Sequence, residues 1–93
     1  MAVLLVMYDL NNEGKSKHDY REFYKIIKSY DWVRLSDSAY AINTEAGPHQ
    51  VWSRLRPHTD ADDDVLVVTL AFPFAGVHRT DTIRWIQGRL PRR

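Results

Sequence analysis

The sequence has no cysteine in its 93 residues, so disulfides, thiolate metal sites and cysteine nucleophiles are excluded together. That absence suits a reducing compartment, and a cytoplasmic location is the expectation. Long apolar runs are missing as well. The longest, Ala2 to Met7, is too short for a membrane span and lacks the basic flank and cleavage site of a signal peptide. A soluble, unprocessed chain with no membrane partner is therefore expected. Charge of one sign is also absent: 13 Lys and Arg face 12 Asp and Glu, so bulk electrostatics do not point to nucleic acid. The chain shows no internal repeat, low-complexity segment or flexible linker. It also has no phosphate-cradling glycine loop and no recognisable Ser/His/Asp arrangement.

What is present bounds the answer from the other side. An apolar content of 44% over this length is enough for one compact core, leaves no room for a second, and makes one domain over residues 1–93 the expectation. Burial is only moderate at this size, so pairing with a second copy is a reasonable default. The charge distribution says more than its sum. From Val77 onward the arginines Arg79, Arg84, Arg89, Arg92 and Arg93 face one acid, Asp81, whereas His58 to Asp64 is acidic. A solvated tail and a solvated loop would explain this, and so would a phosphate-facing surface.

Val3 to Leu10 is apolar apart from Asp9, which suits a strand buried on both faces and central in its sheet. Asn11, Asn12 and Gly14 supply turn chemistry, and Ser16 with Asp19 can start a helix. Between Lys17 and Tyr30, the residues Tyr20, Phe23, Tyr24, Ile27 and Tyr30 recur at intervals of three and four, so they form one apolar helical stripe. Trp32 to Leu35 and Ala39 to Asn43 read as a hairpin that reverses or bulges at Ser36, Asp37 and Ser38. Val51, Trp52 and Leu55 mark a short helix ending before Pro57, with Arg54 and Arg56 in its last turn. Val65 to Ala71 reads as a strand. Thr80 and Asp81 can cap a last helix, about residues 80–91, with Ile83, Trp85, Ile86 and Leu90 on its buried side. The predicted class is α+β: a ferredoxin-like βαββαβ order, an antiparallel sheet with helices on one face, plus a C-terminal helix.

Asp9 is the leading candidate for chemistry. An acid at the end of a central apolar strand sits at the sheet rim, partly desolvated, and needs a partner. It can cap the following turn, pair with a Lys or Arg, or ligate a hard divalent metal, for which Mg²⁺ (or Mn²⁺) is the preferred ion. One Asp per subunit is thin for a metal site unless a dimer axis brings two copies of Asp9 together around an ion acting on a phosphodiester. Ser38 can satisfy a turn, donate to a phosphate or support the metal. His18, His49, His58 and His78 show no metal-ligand spacing, and Asp60, Asp62, Asp63 and Asp64 lack the glycine and terminal glutamate of a calcium loop, so a solvated connection is favoured there. Tyr20, Tyr24 and Tyr30 could stack on bases, but their helical phase matches Phe23 and Ile27, so core packing accounts for them better. Lys15, Lys17, Arg54, Arg56, Arg84 and Arg89 are the candidate contacts to nucleic acid, RNA or DNA.

Tyr8-Asp9-Leu10 closing the first strand, a basic amphipathic helix, and Asp37-Ser38-Ala39-Tyr40 opening the third strand together resemble the CRISPR-associated protein 2 superfamily. The closer likeness is to its stand-alone SinR-like relatives, which are related to VapD-type endoribonuclease toxins. The similarity runs from about Val3 to Leu70. It implies a ferredoxin-like fold, a homodimer and, for several members, a metal-dependent nuclease using the aspartate that matches Asp9. Carried over by position, Asp9 would be the metal ligand, with Ser38 near the same cleft and Tyr8 next to it as catalytic-site residues. Other members act without cleavage, as nucleic-acid scaffolds or accessory proteins of defence or mobile-element loci. The chain departs from the pattern at Ala39, in the acidic loop, and in carrying the Trp85 helix where a plain terminal strand is usual.

Overall fold

The apolar run near the start of the chain forms β1 (Ala2–Asp9), and its hydrogen-bonding edges are both used. In the computed structural model, which describes residues 1–11 and 20–90, β1 lies between β3 (Ala39–Thr44) and β4 (Asp64–Leu70). β2 (Asp31–Ser36) pairs outside β3, giving the order β2-β3-β1-β4 with every neighbouring pair antiparallel. The helices are α1 (Arg21–Ile27), α2 (Pro48–Leu55), which continues into a 3₁₀ turn at Arg56–His58, and α3 (Thr80–Arg89). The expected α+β class with an antiparallel sheet is what forms. The turn residues Asn12 and Gly14, the helix start at Ser16 and Asp19, and the side chains of Lys15, Lys17, His18, Arg92 and Arg93 lie outside the described residues.

Strand alternation divides the core in two, because successive side chains of β1 point to opposite faces. Leu4, Val6 and Tyr8 join Tyr40 and Ile42 of β3 beneath Phe23 and Ile27 of α1 and Val51 and Leu55 of α2. The aromatic and aliphatic stripe of α1 is thus core, as its period requires. On the opposite face, Val3 and Ala41 pack against Ile86 of α3 and Leu90 at its C-cap, with Leu70, Phe72, Phe74 and Trp85 around them. α3 covers only one end of that face. Met7, Leu66 and Val68 remain 46%, 60% and 39% exposed, so the expectation that β1 is buried on both faces holds at Val3 and fails at Met7.

Local chemistry explains the start of α2 and the β2–β3 reversal. Gly47 is the N-cap of α2 and its N–H donates to Gln50 Oε1 at 2.8 Å, with Pro48 in the first turn where its missing N–H costs nothing. The β2–β3 register slips between Arg34 and Ser36, the irregularity expected at the Ser36-Asp37-Ser38 reversal. α3 begins differently from its expected cap. Arg79 occupies the N-cap without a side-chain bond, and Asp81, in the first turn, accepts from the Thr82 N–H at 2.9 Å. Its buried side is Thr82, Ile86 and Leu90, while Ile83 and Trp85 are half-buried. Among the described residues no helix is long and apolar enough to cross a membrane.

Candidate functional site

Asp9 is the last residue of β1 and an odd-numbered one, so it points away from α1 and α2 onto the face that α3 leaves open. The pairing of β1 with β4 sets Asp64 directly opposite it. Cross-strand partners share a face with Cβ atoms about 5 Å apart, so two carboxylates stand side by side at the sheet rim. Both are exposed, which corrects the expected partial desolvation of Asp9. Like charges at that spacing repel. Among the described residues, neither carboxylate accepts a hydrogen bond or forms an ion pair, so the turn-capping and Lys or Arg pairing alternatives for Asp9 find no partner there.

Ser38 reaches the same place through the β2–β3 turn. Its carbonyl accepts from the Tyr8 N–H at 3.0 Å, which ties the turn to the end of β1. Asp9, Ser38 and Asp64, with Met7 and Leu66, line one open cleft of about 430 Å³, also bordered by Tyr8 and Val65. The donor set is hard oxygen throughout, and two carboxylates plus a hydroxyl suit a small divalent cation. By sequence Asp64 belongs to a solvated acidic run; the strand register sets it on the sheet beside Asp9.

Tyr8 does not share the face of Asp9. Its ring packs 5.2 Å from Phe23, 5.7 Å from Tyr24 and 6.3 Å from Tyr40 beneath α1. Burial, reinforced by a hydrogen bond with Tyr24, pushes its phenol well above the ordinary tyrosine range, with Arg34 opposing. Sequence adjacency to Asp9 is what placed it in one site, and the period-2 alternation of a strand separates the two side chains.

The candidate nucleic-acid contacts do not assemble into one surface. Arg54 and Arg56 belong to the α2 segment on one side of the sheet, and Arg84 to α3 on the other. Arg54 donates to the Tyr30 hydroxyl at 2.6 Å and lies over its ring. Arg89 is engaged within its own chain: its Nε donates to Asp31 Oδ2 at 2.6 Å, Nη1 donates to the Trp85 carbonyl at 3.2 Å, and the guanidinium stacks 4.1 Å from the Trp85 ring. That clamp fixes α3 to β2 and removes Arg89 as a free phosphate contact. Lys15 and Lys17 fall outside the described residues.

The acidic loop holds a second group of carboxylates. Asp60, Asp62 and Asp63 offer ligand atoms within 4.8 Å of one another, a spacing that could hold a metal ion, although exposed acidic groups often gather without one. Asp63 has a structural task already. It accepts from the Tyr20 hydroxyl at 2.7 Å, the Asn11 N–H at 2.9 Å and the Asp60 N–H at 2.7 Å, so the loop is folded inward around it. No protein-family model matches the chain, and no solved structure matches it.

Proposed function

We propose that the protein is a homodimeric, divalent-metal-dependent endonuclease acting on RNA, a ferredoxin-like βαββαβ domain akin to the CRISPR-associated protein 2 superfamily. The strand order β2-β3-β1-β4 with antiparallel neighbours supports that reading of the fold. The observation that carries the function is the pair Asp9 and Asp64, set opposite each other on the open sheet face with Ser38 in the same cleft. Exposed Met7, Leu66 and Val68 next to them give a second copy an apolar surface to cover. Such packing would bring together carboxylates of both subunits.

Asp9 and Asp64 would hold Mg²⁺ or Mn²⁺, and Ser38 would orient a phosphate oxygen through its hydroxyl. A bound divalent ion supplies Lewis-acid polarisation of the phosphodiester and a lowered pKa for an attacking water. A second copy packed over exposed Met7, Leu66 and Val68 would exclude bulk water from the cleft and strengthen the field of the carboxylates. A non-catalytic dimer that binds nucleic acid or a protein partner is the second reading, favoured by how few polar groups converge on the cleft. Incubating the full chain with end-labelled single-stranded RNA separates the two. Cleavage should require Mg²⁺ or Mn²⁺, stop with chelator, and fall more than about 100-fold in Asp9→Asn, beyond the loss typical of an outer-shell partner. Equal cutting by Asp9→Asn and wild type would overturn the metal role.

A further inference from the structure

A polar groove on the other side of the sheet stands apart from the Asp9 cleft. It measures about 280 Å³ and lies between α1 and the β2–β3 edge, lined by Tyr8, Tyr24, Lys28, Arg34, Asp37 and Tyr40. We propose that this groove binds the phosphate of a nucleotide, free or within a single strand, with the base against Trp32.

Tyr40 makes the groove more than a surface hollow. Its residue is only 5% exposed, yet its hydroxyl forms no hydrogen bond with any described residue while it lines the groove. The ring is held by packing while the hydroxyl opens onto the groove, so it can donate to an acceptor that enters there. Two cations stand at the same rim. Lys28, exposed at the end of α1, has its Nζ 5.2 Å from the Trp32 ring, a weak contact it can leave on its flexible stem. Arg34 pairs with Asp37 and donates from Nε to the Ser36 carbonyl at 3.2 Å, and the pair is solvent-exposed on both sides, so it is readily exchanged for a better acceptor. Lys28 and Arg34 outnumber Asp37, leaving the rim cationic.

An oxyanion with several acceptor atoms fits a hydroxyl, an ammonium and a guanidinium converging from three elements. The aromatic neighbour selects among oxyanions. Trp32 shares the face of Arg34, lies 5.6 Å from Tyr40 and is 40% exposed, so a base can stack on it while the phosphate meets Tyr40. A phosphate joined to a planar base is a nucleotide. The groove and the Asp9 cleft face opposite sides of the sheet, so failure of one reading leaves the other intact.

The test titrates the full-length chain with inorganic phosphate, adenosine monophosphate and an eight-nucleotide adenosine RNA strand, following backbone amides by two-dimensional NMR and affinity by calorimetry. The monophosphate should shift the amides of Lys28, Trp32, Arg34 and Tyr40 saturably and bind more tightly than inorganic phosphate. Tyr40→Phe, which removes one oxygen from a ring that stays packed, should weaken binding about tenfold, the loss expected for a hydrogen bond to a charged group. Trp32→Ala should reduce the monophosphate to the affinity of inorganic phosphate. Tighter binding of the strand at the same amides would identify a strand as the source of the phosphate, and weaker or equal binding a free nucleotide. The proposal is overturned by no saturable shift at these amides, by equal affinity for the monophosphate and inorganic phosphate, or by Tyr40→Phe binding as wild type.

Discussion

The two faces of the sheet are built from the same strands and differ most at the end that α3 leaves open. Beneath α1 and α2, Leu4, Val6, Ile42, Phe23 and Ile27 are sealed from solvent at 0–1% exposure. On the other face the same β1 carries Met7 and Asp9, and β4 carries Leu66, Val68 and Asp64, all exposed. A side chain removed from water gains stability in the isolated chain, whereas an exposed apolar row flanked by unneutralised carboxylates gains nothing until something covers it. The face beneath α1 and α2 and the part beneath α3 therefore maintain the fold, and the open end of the second face is available for an intermolecular task.

The largest effect should come from breaking the covered face. Ile42→Ala is expected to cost about 2–5 kcal/mol in denaturant unfolding, by lost burial and the cavity left behind. Leu66→Ala, two strands away and on the open side, should cost less than about 0.5 kcal/mol at concentrations where the chain is dissociated. A matching cost at both positions would erase the distinction between the faces. Leu66→Lys sharpens the comparison: sedimentation should show dimer dissociation at least tenfold easier, with the unfolding midpoint of the dissociated chain nearly unchanged. Dimerisation unaffected by the lysine would move the interface elsewhere.

Much of this arrangement is legible in the residues alone. The apolar run of β1, the α1 stripe at spacings of three and four, and the reversal at Ser36 to Ser38 each carry a periodicity or turn chemistry that decides the element. The partnership of Asp9 with Asp64 is not local. It depends on the register of β4 against β1 across more than fifty intervening residues, which no spacing encodes. Asp63 shows the same limit, since an acid in an acidic run reads as solvated until Tyr20 and the Asn11 N–H are found folded onto it. The separation of Tyr8 from Asp9, in contrast, follows from strand alternation once the strand is accepted. The groove beside Tyr40 draws on three elements and becomes visible only when they are packed.

Smaller effects refine the contrast. Asp64→Asn should relieve the like-charge pair and stabilise the metal-free chain by roughly 0.2–1 kcal/mol, while the rise in melting temperature that Mg²⁺ gives wild type should disappear. Destabilisation without metal would mean that Asp64 has a partner of its own. On the covered face, Tyr8 titrates above its ordinary value of 10.0 because burial disfavours the phenolate. Since the folded value is raised, stability is fully present below the unfolded value and declines as pH rises past it; Tyr8→Phe should flatten that alkaline decline in a pH series of unfolding midpoints. An unchanged slope would place Tyr8 in contact with solvent.

The most direct measurement is a crystal structure grown in Mn²⁺, with the ion located by its anomalous scattering. Two chains should meet through their open faces, with Mn²⁺ between carboxylates at positions 9 and 64. Manganese found only at Asp60, Asp62 and Asp63, or Asp9 side chains of paired subunits lying far apart, would contradict it.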